Sequence, residues 1–121
     1  MRGCAGDPAS RITGGEWRVE AVAGEAIVAG ATVSIAFSDA GRVTGHSGCN
    51  RFTGRYTRTG EGLSFGKLAS TMMACPEALM RQERRVLEVL ARVTRFDIDE
   101  TGQLLLIGDK NDHALLTARR P

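Results

Sequence analysis

The apolar residues of this chain change their period twice, and that change constrains the fold more than any other feature. Up to Gly66 they recur at every second position, in short runs broken by turn residues. Trp17, Val19 and Ala21 alternate with Arg18, Glu20 and Val22. Val33, Ile35 and Phe37 share one side of the run 32–37. The cluster Ser38-Asp39-Ala40-Gly41 turns the chain, and Arg42 to His46 runs back. Phe52, Gly54 and Tyr56 share a face, with Arg51, Thr53, Arg55 and Thr57 opposite. Thr59-Gly60-Glu61-Gly62 turns again before Leu63 and Phe65. From Pro76 the spacing becomes helical: Leu79, Met80, Val86, Leu87, Leu90 and Val93 fall on one side, while Arg81, Gln82, Arg84, Arg85, Glu88 and Arg92 cover the other. Pro76 suits a first helical turn, where its missing N–H costs nothing. Period two then returns with Phe96/Ile98, Leu104/Leu106 and Ala114–Ala118, separated by turns at Asp99–Gly102 and 108–112.

Connections this short exclude parallel crossovers. The expected fold is α+β. It is a strongly curved antiparallel β-meander or partial barrel of about seven to eight short strands. One amphipathic helix is inserted between the early and late strands, packing on a face or plugging an end. Residues 1–13 are small, polar and unpatterned, and are expected to be a flexible leader or an expression remnant. Residues 14–121 form the single domain, with Trp17 as its first structural anchor beside Phe52 and Tyr56.

Composition excludes more than it assigns. The chain has 121 residues, 42% apolar and 25% charged, which suits one globular domain. Its longest apolar stretches, Ala26–Ala29 and Leu104–Ile107, are too short to span a bilayer. Sixteen basic against fourteen acidic residues and six aromatics do not suit a dedicated nucleic-acid binder. Fourteen of the basic residues are Arg. Arg81, Arg84, Arg85 and Arg92 read as a solvated helix face, with docking onto an acidic partner or an anionic membrane as the alternative.

Two segments stand out. In Gly45-His46-Ser47-Gly48-Cys49-Asn50-Arg51-Phe52-Thr53-Gly54-Arg55-Tyr56, glycines inside strand-like sequence suggest bulges or close backbone approach. The segment either bends a sheet around a core or forms a binding loop. In Thr71-Met72-Met73-Ala74-Cys75-Pro76, the methionines are expected to fill the core. Enzyme chemistry has thin support. A thiol nucleophile needs Cys49 or Cys75 beside His46 or His113. A zinc site would draw on His46, Cys49, Cys75 and His113, yet no Cys-x-x-Cys pair is present. No phosphate loop or dinucleotide fingerprint occurs. The carboxylates Asp97 and Asp99 alternate with apolar residues, as a solvated strand face does. No catalytic residue, metal or cofactor is therefore assigned.

The two segments together resemble the META domain family, which includes HslJ-like heat-inducible envelope proteins. The resemblance rests on Gly45, Gly48, Cys49, Asn50, Arg51, Phe52, Gly54 and Tyr56, then on Thr71, Met73, Cys75 and Pro76. Trp17, Glu83, Leu87 and the Leu104/Leu106 strand extend it over roughly residues 14–118. Met72 departs from the Arg or Lys of many relatives. The resemblance implies a small, non-catalytic, monomeric domain of the bacterial periplasm or outer membrane, often lipoprotein-like. It also implies a protein-interaction or accessory role in tolerance of heat and of antibiotics such as novobiocin. A carrier holding an apolar ligand inside the curved sheet is the alternative. Cys4 is a possible lipidation site, although no apolar segment precedes it. An oxidising compartment favours a disulfide between Cys49 and Cys75 over a pair of buried free thiols.

Overall fold

The computed structural model describes residues 12–108 and 114–121. Cys4, His113 and the turn residues 109–112 lie outside that range, as does most of the expected leader. Among the described residues the named elements follow in order: β1 (Glu16–Val22), β2 (Glu25–Ala26), β3 (Ser34–Phe37), β4 (Arg42–His46), β5 (Arg51–Thr59), β6 (Gly62–Phe65), β7 (Ala69–Ser70), α1 (Glu77–Leu90), β8 (Val93–Ile98), β9 (Leu104–Gly108) and β10 (Ala114–Arg119). All strand pairings are antiparallel. The order β10-β9-β8-β6-β5-β4-β3-β1 closes through β1–β10, so eight strands make a barrel. The two-residue strands β2 and β7 pair with β1 and β5 outside the ring. Closure removes the unpaired edges that a curved open sheet would leave.

The inward-facing residues make one packed core. Trp17, Ile35, Phe37, Val43, Phe52, Leu63, Phe96, Leu104, Leu106 and Leu116 belong to it. Helix α1 adds Val86, Val89 and Leu90. It lies across the barrel end where β1, β4, β6 and β9 finish and where β3, β5, β8 and β10 begin. Glu77 sits in its first turn, where a carboxylate suits the helix dipole. The helix has no side-chain cap, and the Leu79 and Met80 amides turn back onto the Pro76 carbonyl at 3.0 and 3.1 Å. Among the described residues no helix is long and apolar enough to cross a membrane.

Three sequence expectations need correction here. Ile12 and Thr13 belong to the fold rather than to the leader. Ile12 is 0% exposed, its carbonyl accepts the Trp17 indole N–H at 3.0 Å, and Thr13 bridges Phe37. Val22, not Ala21, faces the core at the end of β1, because the ladder to β10 slips between Val19 and Ala21. Tyr56, by contrast, is the anchor expected: it packs against the core, its ring meets Phe37 edge-on at 5.1 Å, and its hydroxyl donates to the Ser38 carbonyl at 2.6 Å. The methionines do not fill the core, since Met72 is 92% and Met73 59% exposed.

Candidate functional site

The two distinctive segments meet at the barrel end covered by α1. The β4–β5 turn, 47–50, faces the loop 71–75 that leads into the helix, and Cys49 is joined to Cys75 by a disulfide. Asn50 stands at the centre. Its side-chain oxygen accepts from the Met73 amide at 2.7 Å and from the Thr71 hydroxyl at 2.9 Å. Its side-chain nitrogen donates to the Met73 carbonyl and to Glu83 Oε2, both at 3.3 Å. One amide group thus pairs with both polar groups of the Met73 backbone, as a neighbouring strand would. Arg51 and Thr71 continue the pairing: the Thr71 amide donates to the Arg51 carbonyl at 3.0 Å, and the Arg51 amide to the Thr71 hydroxyl at 3.1 Å.

Glu83 closes the network from the helix. Its Oε1 accepts from the Ser47 hydroxyl at 2.8 Å and from the Asn50 amide at 3.1 Å. Gln82 beside it was expected on the solvated face, yet it is 2% exposed. It receives the Val28 amide at 2.8 Å and donates to the Ser47 carbonyl at 3.1 Å, tying the β2–β3 connection to the turn. Ser47 and Gln82 are the site residues that sequence reasoning missed. The signal for Gln82 was its spacing from Leu79 and Val86, which places it on the apolar stripe of the helix. Gly48 sits at φ +98°, and a Cβ there would stand 2.7 Å from Gln82 Nε2. Gly45 has no room either, because a Cβ would strike the Phe52 ring and the Ser34 carbonyl. Among the described residues, no buried side-chain nitrogen or oxygen lacks a partner.

This network is a structural knot. Its carboxylate, amides and hydroxyls are spent on one another, and its two thiols on a bond. His46 lies at its rim and accepts the Gly48 amide on Nδ1 at 3.0 Å. Among the described residues, no three His, Cys, Asp or Glu side chains converge as metal ligands.

Two grooves flank the knot on the outside of the barrel. One of about 590 Å³ runs between Val28–Thr32 and the helix start at Pro76, Ala78 and Leu79, with His46 and Gly48 in its wall. The other, about 470 Å³, lies between Thr44/Thr53 and Ala69–Thr71, with Arg51 at its end. The barrel axis itself is occupied by the packed aromatic and aliphatic side chains of the core. The geometry therefore offers surfaces, and it gives the interior-carrier alternative no support.

Comparison with known proteins agrees with this frame. A protein from Burkholderia xenovorans solved by NMR superimposes with a TM-score of 0.72 at 27% identity, covering 100% of this chain and 92% of that one. A DUF4847 family protein from Bacteroides vulgatus has a TM-score of 0.66 at 15% identity, covering 90% and 94%, and shares the fold alone. No curated protein matches. The META domain family model matches residues 10–121, so the chain belongs to the META domain family.

Proposed function

We propose that this protein is a non-catalytic accessory domain of the bacterial envelope that acts by surface recognition in stress tolerance. The observation that carries this reading is the use of the motif residues. Asn50, Glu83, Gln82 and Ser47 hold one another and the backbone, and no nucleophile–base pair is left among them. The disulfide supports an oxidising compartment, because such bonds persist outside the reducing cytosol. Membership in the META family supports the accessory role, and recognition then falls to the outer surface.

Deleting the gene in its host is expected to lower survival after heat shock and in novobiocin. Protein recovered from envelope fractions, unfolded without reductant, is expected to show one reactive thiol of its three cysteines. Unchanged survival together with three free thiols in cytosolic protein would overturn the reading.

A further inference from the structure

The outer wall of the barrel presents only cationic charge from β4 and β5, flanked by Asp39 in the turn that leads into β4. Strand alternation turns Arg42, Thr44 and His46 of β4 outward, together with Arg51, Thr53 and Arg55 of β5. Arg42 lies directly opposite Arg55, and His46 opposite Arg51. Like charges placed opposite each other across a ladder destabilise it, so the fold gains nothing from this arrangement. No carboxylate stands at an outward position of β3, β4, β5, β6 or β7. Elsewhere Arg81, Arg85 and Arg119 do have carboxylate partners. Arg42, Arg51 and Arg55 are exposed and make no ion pair among the described residues. In a chain of net charge +2 this is a local concentration of positive charge.

A second observation adjoins the first. Met72 and Met73 stand out at 92% and 59% exposure immediately beyond Arg51. Their loop is held on both sides, by the Thr71–Arg51 and Met73–Asn50 hydrogen bonds and by the Cys49–Cys75 disulfide. Two large apolar side chains are thus presented to solvent on a fixed backbone. The cations span four residues of strand, about 13 Å, with the apolar tip at one end.

We propose that this wall docks on an anionic phospholipid surface. Arginine forks match phosphate oxygens bidentately, and a bilayer interface accepts an apolar tip beside them. A purely acidic peptide would satisfy the arginines but would leave Met72 standing in water. This deepens the surface-recognition reading by naming what the surface meets. It is tested on purified protein, so its outcome is independent of heat or novobiocin survival.

The test is co-sedimentation of the full chain with vesicles of equal parts phosphatidylglycerol and phosphatidylcholine, against pure phosphatidylcholine. Binding is expected only to the anionic vesicles, and it is expected to weaken as salt rises. The Arg42→Gln/Arg51→Gln/Arg55→Gln variant is expected to lose about a hundredfold in partitioning, near fivefold for each charge. Met72→Ser/Met73→Ser is expected to lose about tenfold. All five side chains are exposed, and circular dichroism verifies that both variants fold. Equal binding to both vesicle types overturns the proposal, and so does binding unchanged in the arginine variant. Capture by poly-glutamate without vesicle binding also overturns it and makes the wall a protein-docking face.

Discussion

Asn50 does the work of a short strand with a single side chain. It satisfies the Met73 amide and carbonyl, which otherwise have no ladder partner at the corner where the loop 71–75 crosses β5. Asn50→Ala leaves those part-buried groups and Glu83 Oε2 without it, and each group left unpaired costs up to about 1–3 kcal/mol. Urea unfolding is expected to show a loss of roughly 2–4 kcal/mol, and a loss under 1 kcal/mol would show that water replaces the amide. Tyr56 gives a pH-dependent counterpart. Burial, then the Asp39 carboxylate, push its hydroxyl above the usual 10.0, and Arg58 opposes them. A raised folded pKa contributes stability that is complete below the unfolded value and is lost as pH rises through the folded one. Stability is therefore expected to fall as pH rises above 10.0, and Tyr56→Phe is expected to flatten that limb in unfolding curves taken across it. Sequence reading placed Asn50 at the bend because asparagine tolerates such turns. It could not assign the three partner residues Thr71, Met73 and Glu83, which lie 21 to 33 residues away.

At the scale of elements, the helix is the piece least able to hold itself in place by its own sequence. Fourteen residues are marginal as an isolated helix, and this one has no side-chain cap. It is fixed by Val86, Val89 and Leu90 in the core, by Gln82 and Glu83 on the turn, and by the disulfide at its entrance. The disulfide closes a loop with a sequence separation of 26 residues. In chain-entropy terms such a closure stabilises by about 3–4 kcal/mol. The Cys49→Ala/Cys75→Ala variant is expected to lose that amount in urea, and reductant is expected to shift the wild-type midpoint while leaving the variant's unchanged. A wild-type midpoint indifferent to reductant would count against the bond. The existence of the helix was legible from the spacing of Leu79, Val86, Leu87 and Leu90. Its polar attachments were not, because a glutamine reads as solvent-facing until something on another element claims its hydrogen bonds. The early strands were legible for the opposite reason. Alternation such as Val33, Ile35 and Phe37 needs no knowledge of the partner strand, whereas the slip in β1 after Val19 depends on β10, far away in sequence.

Over the whole molecule, what sequence could not reach is closure. Joining β1 to β10 brings the two ends of the domain together through Arg18↔Arg119, Val19↔Ala118, Ala21↔Thr117 and Val22↔Leu116. No local pattern encodes that pairing. The closed barrel then has two ends to cover. Helix α1 covers one. At the other, Ile12 and Trp17 hold each other through the indole hydrogen bond, Arg120 stacks 4.1 Å above the Trp17 ring, and its guanidinium donates to the Thr13 carbonyl at 2.9 Å. The first and last parts of the described domain thus meet on one tryptophan. Ile12 was hidden in the sequence because a lone isoleucine in an unpatterned stretch has no period to announce it. The consequence is sharp to within two residues. A chain lacking residues 1–11 keeps Ile12 and Thr13, whereas one lacking 1–13 loses a completely buried side chain and the acceptor of the Trp17 indole N–H. Removing a buried isoleucine side chain costs about 2–5 kcal/mol. The shorter chain is therefore expected to unfold at a lower urea concentration than the longer one by about that free energy, and Ile12→Ala in the full chain is expected to reproduce most of the difference. Coincident unfolding midpoints for the two truncations would mean that β1 and β10 close that end of the barrel without Ile12.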